Sequence, residues 1–140
     1  MNKPRYIAAI DDATGAPCVL SRNRDNNGSP KNAWWRLSVT TARNAAANRR
    51  AACAEALSPE ANKRCHVTRS NRFDGAENVF IAIGTSDLEL IPSSEEITGL
   101  EQWISVADEL SRLAELDEAC DMALGLAAVW REDHRDERDM

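Results

Sequence analysis

The sequence is short of the residues that most often mark a catalytic or metal-binding site. Its 140 residues include two histidines, His66 and His134, and four cysteines with no Cys-x-x-Cys pair. It has no glycine-rich phosphate loop, no Gly-x-Ser-x-Gly and no His-x-x-x-His. Cys65 and His66 are adjacent, and neighbouring residues of a strand point to opposite faces. We therefore expect no enzymatic activity, no cofactor and no metal centre.

Long apolar runs are also missing. No segment approaches the roughly 18 consecutive apolar residues of a membrane-spanning helix, and the N-terminus lacks the apolar stretch of a secretory signal. The expectation is a cytoplasmic protein without a membrane role. In that setting the four cysteines are interpreted as small buried hydrophobes rather than as disulfides.

Charge is abundant but unevenly divided between the two parts of the chain. Residues 1–72 contain 13 Lys and Arg against 5 Asp and Glu, a net of +8. Residues 73–140 contain 4 against 18, a net of −14, which together give the formal charge of −6. Such asymmetry indicates contact with nucleic acid, with a charged partner, or between the two parts themselves.

Short segments rich in β-branched and aromatic residues predict strands, and clusters of turn-forming residues separate them. The predicted strands cover residues 6–10, 18–22, 34–39, 66–69, 79–83 and 88–91. The segment 12–15, Asp-Ala-Thr-Gly, predicts the turn of a first hairpin. Thr40 or Thr41 is expected to cap a helix that ends near Leu57.

These elements predict an α+β fold with a mostly antiparallel sheet of four to six strands. One alanine-rich helix and a C-terminal pair of acidic helices would pack on the sheet. Along the third strand, Trp35, Leu37 and Val39 are expected to face the core. They alternate with Trp34, Arg36 and Ser38. The buried stripe of the alanine-rich helix is expected to contain Ala42, Ala46, Cys53 and Leu57.

The C-terminal third carries two apolar stripes that point in opposite directions. Ser93 or Ser94 can cap a helix whose stripe runs from Leu100 through Trp103 to Ala114. A second stripe runs from Leu116 to Trp130, about opposite the first. We interpret the phase shift as two helices broken between residues 114 and 117, with Asp117 as an N-cap. The alternative is one long helix that contacts the fold on one side and a second subunit on the other.

The domain organisation follows from length and composition. A single α+β domain is expected over residues 1–132, basic over 1–72 and acidic over 73–132, followed by a charged, frayed tail over 133–140. The sequence shows no internal repeat. A helical hairpin would bury both Trp103 and Trp130 within one chain, so a monomer is favoured over a dimer.

The acidic part supports the leading hypothesis of function, a non-enzymatic interaction protein. A row of carboxylates can stand in for phosphates and occupy the basic site of a nucleic-acid-handling partner, as small phage-type inhibitors do by general analogy of charge. The expected partner-binding residues are Glu101, Asp108, Glu109, Glu115, Asp117, Glu118 and Asp121.

The basic part supports the alternative, a nucleic-acid-binding protein with the acidic part as a brake. Arginine binds phosphate in a bidentate manner, and an exposed Trp34 could stack on a base. The competing possibility is that the arginines pair with the protein's own carboxylates. The expected nucleic-acid-binding residues are Arg22, Arg24, Trp34, Arg36, Arg43, Arg49 and Arg50.

Overall fold

The computed structural model describes residues 5–22, 34–69, 78–83 and 102–135. The strands are β1 (Tyr6–Ile10), β2 (Pro17–Arg22), β3 (Trp34–Ser38), β4 (Val67–Arg69), β5 (Val79–Ile83) and β6 (Gln102–Ser105). The helices are α1 (Val39–Leu57), the single turn α2 (Ala61–Arg64) and α3 (Val106–Asp133). Among the described helices, none is both long enough and apolar enough to cross a membrane.

The first hairpin is built by the turn that the sequence predicts. Asp11 accepts hydrogen bonds at Oδ1 from the backbone N–H groups of Ala13 (2.8 Å) and Thr14 (3.2 Å). Gly15 then takes a φ of +73°, a conformation that glycine adopts without steric cost. The N–H of Gly15 closes the turn on the carbonyl of Asp11 at 2.7 Å.

The first sheet is an antiparallel meander in the order β1-β2-β3. Its central row aligns Ala8, Val19 and Leu37. Val19 is fully buried, as befits the middle strand. The expectation that Trp35 faces the core is wrong, since Trp35 is 51% exposed. Hydrophobicity alone does not decide whether a side chain is buried, because exposed apolar residues are common on protein surfaces.

The second sheet is also an antiparallel meander, in the order β4-β5-β6. Its central row aligns Val67, Ile81 and Ile104. Trp103 and Ile104 therefore belong to a strand and not to the predicted helix. Their pairing with β5 satisfies the backbone of a segment with aromatic and β-branched residues, which suits a strand. The predicted strand 88–91 and the predicted cap at Ser93 or Ser94 lie outside the described residues.

The predicted break in the C-terminal helix does not exist, because α3 runs unbroken from Val106 to Asp133. Asp117 is an interior residue of α3 and not an N-cap. The buried positions form one continuous stripe with spacings of one to four residues. They are Val106, Glu109, Arg112, Leu113, Leu116, Ala119, Cys120, Ala123 and Ala127. Glu109 and Arg112 are charged residues within that buried stripe. Because they interrupt its apolar residues, the apolar pattern in the sequence passes from one side of the helix to the other, although the buried side of the helix stays the same.

Helix α1 begins two or three residues earlier than the sequence predicts, with a different cap. Ser38, not Thr40 or Thr41, accepts the hydrogen bond from the backbone N–H of Thr41 at 3.1 Å. The buried stripe then follows Ala42, Ala46, Cys53 and Ala56. The expectation for Leu57 is wrong, since this last helical residue is exposed.

The α+β class is confirmed, but the strands and helices are arranged differently from the prediction. In the described chain there are two three-stranded antiparallel sheets instead of one sheet of four to six strands. The C-terminal pair of helices is replaced by the single helix α3, which has eight acidic and two basic residues.

The chain divides into two compact units. Unit 1 comprises residues 1–46 and 114–140, and so contains the first sheet, the beginning of α1 and the end of α3. Unit 2 comprises residues 47–113, and so contains the end of α1, the second sheet and the beginning of α3. In unit 2 the core is formed by Cys53, Ala56, Val79, Ile81 and Val106, with Val67, Ile104 and Leu110 packed against it.

The element order repeats, although no repeat is visible in the sequence. A three-stranded meander followed by a long helix occurs twice, as β1-β2-β3-α1 and as β4-β5-β6-α3. Ser38 and Ser105 cap their helices in the same way, each accepting from the N–H three residues later. The next residues, Val39 and Val106, are both buried, and so are Cys53 and Cys120 at the fifteenth position of each helix.

Candidate functional site

The acidic residues of α3 differ in exposure. Asp108, Glu115, Glu118 and Asp121 are exposed, and Asp117 is partly buried. Glu101 lies outside the described residues. Asp108 belongs to unit 2, and the other three exposed carboxylates belong to unit 1. The three are named here the acidic cluster: Glu115, Glu118 and Asp121.

Glu109 does not lie on the exposed surface that the sequence analysis assigned to it. The residue is 4% exposed and pairs with the equally buried Arg112, one turn further along α3. Arg49 adds a second cation with its Nη1 at 4.0 Å from Glu109 Oε1. Because a buried carboxylate is costly without such partners, these arginines explain why the charge is tolerated. In this position Glu109 contributes to the interior of unit 2.

Two members of the acidic cluster are paired with arginines of unit 1. Arg5 Nε lies 3.3 Å from Glu115 Oε2, and Arg43 Nη2 donates to Asp121 Oδ1 at 2.6 Å. The hydrogen bond to Asp121 raises the pKa of the Arg43 guanidinium. Glu118 has no ion pair within the described part of the chain. Its charge is therefore available to a partner.

A groove in unit 1 lies beside the acidic cluster and has a volume of about 420 Å³. The strand β1 and the preceding residue form one wall, and one side of α3 forms the other. The lining residues are Arg5, Tyr6, Ile7, Ala8, Glu115, Glu118, Ala119, Met122 and Leu126. On α3 these residues recur at spacings of one to four, so that they share one side of the helix.

The groove combines an apolar stretch with a charged end. Ile7, Met122 and Leu126 are large apolar residues that remain exposed to solvent there. Glu115, Glu118 and Arg5 supply the charges. Exposed apolar side chains beside charged groups are typical of a protein-binding surface. The arrangement suits a partner that offers apolar side chains together with positive charge.

Four of the predicted nucleic-acid-binding arginines have described side chains, and all four are engaged within the chain. Arg36 Nη1 lies 3.1 Å from Asp11 Oδ2, and Arg50 donates to the carbonyl oxygen of Leu113 at 3.3 Å. Arg43 and Arg49 pair with acidic residues of α3, as described above. Trp34 is exposed at the start of β3. Arg22 ends β2, its side chain is not described, and Arg24 lies outside the described residues.

Three of the cysteines, Cys53, Cys65 and Cys120, occupy environments that disfavour the thiolate. All four are free and buried. Burial raises the pKa of Cys53 to about 11 and raises the pKa values of Cys65 and Cys120. Since the thiolate is the nucleophile, these thiols are poorly suited to attack at neutral pH. No group of three or more potential metal ligands occurs within the ranges that the structure describes.

Comparison of the chain with protein-family models, with curated proteins and with solved structures found no match. The groove is therefore characterised by its own geometry.

The acidic end of the groove can be predicted from the sequence, but its apolar wall cannot. Around the helix, Met122 falls between the two predicted apolar stripes, and Leu126 belongs to the second stripe, which is expected to be buried. For Tyr6 and Ile7 the sequence predicts only a strand. The sequence does contain a signal for the exposed side: Met122, Leu126 and Val129 recur at i, i+4 and i+7, beside a separate stripe of alanines.

Proposed function

We propose that this protein is a non-enzymatic interaction protein whose acidic cluster binds a basic surface of a partner protein. The exposure of Glu118, with no described ion pair, next to an apolar groove is the observation that carries the proposal. The partner class is a nucleic-acid-handling protein, because a surface that binds phosphates also attracts a group of carboxylates. On this proposal the protein acts as an inhibitor that occupies the partner's basic site.

On this proposal the charged and the apolar residues of the surface contribute to binding in different ways. The carboxylates attract a basic surface over a distance and increase the association rate, an effect that salt screens. The exposed apolar residues of the groove then bury surface and slow dissociation. Binding should therefore weaken with salt without disappearing.

The alternative, direct binding of DNA or RNA, is supported less by the described contacts. Arg36, Arg43 and Arg49 are each paired with a carboxylate of the same chain. A nucleic acid would have to replace those partners to reach the guanidinium groups. The exposed Trp34 and Trp35 on the edge strand β3 are the features that favour this alternative.

The test is a capture experiment with the full chain and a triple variant, Glu115→Gln, Glu118→Gln and Asp121→Asn. A nucleic-acid-handling protein captured by the parent chain should bind the variant at least tenfold more weakly. The matched control neutralises three other exposed carboxylates of unit 1, with Asp12→Asn, Glu132→Gln and Asp133→Asn. Equal capture by both triple variants would contradict the proposal.

A gel-shift assay at low salt separates the two classes of function. On the proposal, the chain shifts neither single- nor double-stranded nucleic acid. A shift that Arg36→Gln abolishes would favour the alternative.

A further inference from the structure

We infer that the groove binds an amphipathic helix of the partner, which lies along α3 and carries apolar residues followed by basic residues on one and the same side. This inference rests on the proposed function, because it specifies what the partner presents to the same surface. Three features of unit 1 support it: the spacing of the groove residues on α3, their order along that helix, and the ion pair at one end.

The first feature is the spacing of the groove residues on α3. Glu115, Glu118, Met122 and Leu126 follow one another at intervals of three and four residues and all line the groove. At about 100° per residue they fall within a sector of roughly 100°, so they share one side of the helix. Val129 continues this side by one more turn and is exposed. The side extends over about 20 Å and presents about one residue per turn.

The second feature is the order of charge and apolar surface along that side. Glu115 and Glu118 lie at the end nearer the N-terminus of α3, and Met122, Leu126 and Val129 follow. The three apolar side chains are all exposed. A partner that lies along α3 must therefore present basic groups at one end and apolar groups over the rest, without a change of side.

The third feature is the ion pair that bounds the charged end. Arg5 Nε, on one wall, lies 3.3 Å from Glu115 Oε2, on the other wall. Glu118 lies one turn further into the groove and has no ion pair within the described part of the chain. A basic residue of the partner would therefore meet Glu118 first. An acidic residue there would be repelled.

A helix matches this surface better than an extended segment does. Residues on one side of a helix repeat about every 5.4 Å, which is also the interval at which α3 presents its own residues. Residues on one side of a strand repeat about every 6.6 Å, so a strand would lose register with α3 over the length of the groove. Matched spacing allows the side chains of two helices to interdigitate, as in other helix-binding grooves.

The helix dipole favours one direction for the bound helix. Cations are stabilised in the last turn of a helix, where the dipole is negative. A partner helix with its basic residues in the last turns places them beside Glu115 and Glu118 when it runs antiparallel to α3. Its preceding turns then lie along Met122, Leu126 and Val129. The antiparallel orientation is therefore the favoured one.

The probe for the test is a fluorescein-labelled 18-residue peptide with blocked ends and a background of alanine and glutamine. Leucines at peptide positions 4, 7 and 11 and arginines at positions 15 and 18 repeat the spacing of the groove side of α3 in antiparallel order. The first control moves the two arginines to positions 13 and 17, on the far side of the peptide helix. The second control has prolines at background positions 9 and 13, which prevent a continuous helix. The third control replaces both arginines with glutamates.

Binding is measured by fluorescence anisotropy in titrations with the full chain at low salt. The parent peptide should bind at least tenfold more tightly than the proline and glutamate controls, and at least fivefold more tightly than the control with moved arginines. That control has the same composition and net charge as the parent peptide. It therefore tests the placement of the charge, whereas the proline control tests the helix.

Two leucines of α3 supply a matched pair of protein variants. Leu126, which lines the groove, is 43% exposed, and Leu124, which lies on about the opposite side of the helix, is 42% exposed. Leu126→Lys should weaken binding of the parent peptide at least tenfold, because it places a cation on the apolar part of the groove. Leu124→Lys makes the same chemical change elsewhere and should alter binding less than twofold. Circular dichroism checks that both variants keep the parent's helix content.

Glu118→Gln tests the charged end by itself. It should weaken binding of the parent peptide severalfold, because the carboxylate that meets the peptide's arginines is lost. Binding of the peptide with moved arginines should change less than twofold. Equal losses for the two peptides would contradict the placement of the basic residues beside Glu118.

Failure of this inference can be told apart from failure of the proposed function. If the proline peptide or the peptide with moved arginines binds as well as the parent peptide, or if no peptide binds, docking of a helix is overturned. The capture experiment with the triple variant then decides separately whether the acidic cluster binds a partner protein. Sedimentation covers the remaining occupant: a dimer that Leu126→Lys but not Leu124→Lys dissociates would assign the groove to a second copy of this chain and would overturn the inference.

Discussion

At the scale of single residues, the two glycines that the structure describes have opposite environments. Gly15 has a φ of +73°, and a Cβ there would lie well inside van der Waals contact with the ring of Trp130. That ring also stacks on His134, with centroids 3.9 Å apart. Gly125 lies in α3, and a Cβ there would meet nothing within 4 Å. The same substitution should therefore have opposite effects at the two positions.

Gly15→Ala is expected to destabilise the protein by about 2 kcal/mol or more, because a left-handed backbone costs a non-glycine residue about 1–2 kcal/mol and Trp130 must also move. Gly125→Ala is expected to stabilise the protein by about 0.5–1 kcal/mol, since alanine is the better helix former. Urea denaturation followed by tryptophan fluorescence measures both. Changes of the same sign would contradict the environments described for these glycines.

Asp11 makes the stability of the first hairpin depend on pH. The hydrogen bonds from Ala13 and Thr14, and then the charge of Arg36, lower the pKa of its carboxyl from the ordinary value of 3.8. A lowered pKa means that the folded state favours the carboxylate. This stabilisation is present above about pH 4 and is lost as the pH falls through the lower folded-state pKa.

Asp11→Asn should therefore reduce the free energy of unfolding at pH 7, and the deficit should shrink below pH 4. Urea denaturation at a series of pH values gives the measurement. Asp12→Asn is the control, because it removes the neighbouring carboxylate without removing a described hydrogen bond. A deficit that is the same at pH 7 and pH 3 would contradict the role of the Asp11 charge.

At the scale of elements, the buried ion pair of α3 makes one continuous helix look like two helices in the sequence pattern. Glu109 and Arg112 occupy positions on the buried stripe where the sequence pattern calls for apolar residues. Their mutual pairing, with Arg49 nearby, allows the helix to bury them. The sequence consequently suggests two helices with opposed stripes, where the structure has one helix with one stripe.

Ala114 tests the continuity of α3 directly, because it is exposed and lies where the sequence suggested a break. Ala114→Pro should destabilise the protein by about 3 kcal/mol or more, and Ala114→Gly by about 1 kcal/mol, the costs expected inside a helix. Chemical denaturation gives both values. Near-neutral effects of both substitutions would indicate that the helix is interrupted there.

At the scale of the whole molecule, the repeated order of meander and helix places equivalent residues in equivalent environments. Cys53 and Cys120 occupy the same position in α1 and α3, and both are buried. Burial raises the pKa of both thiols. The protonated thiols contribute stability at neutral pH, and this contribution declines as the pH rises above the ordinary value of 9.0.

The burial of all four cysteines predicts that the native protein resists thiol reagents. At pH 8 a disulfide reagent such as dithionitrobenzoate should label less than one thiol per chain within minutes, and all four in guanidinium chloride. Single Cys→Ala variants identify any site that reacts early. A thiol that reacts rapidly in the folded state would show that its unit opens readily.

The sequence by itself determined the features that depend on neighbouring residues. The class α+β, the bounds of β5, the Asp11 turn and the existence of α1 all follow from short-range propensity, alternation and turn chemistry. The uneven charge and the exposed carboxylates Glu115, Glu118 and Asp121 were also evident. In each case the physical cause acts within a few residues of the chain.

Tertiary structure decided the features that depend on distant partners. Trp103 became part of a strand because β5 supplies its hydrogen-bonding neighbour, and Glu109 became buried because Arg112 and Arg49 balance its charge. The groove exists because residues 5–8 and residues 115–126, more than one hundred positions apart in the sequence, lie next to each other. A local sequence pattern does not predict which residues of two distant segments will line the same groove. Whether a residue is exposed depends on which other parts of the chain pack over it.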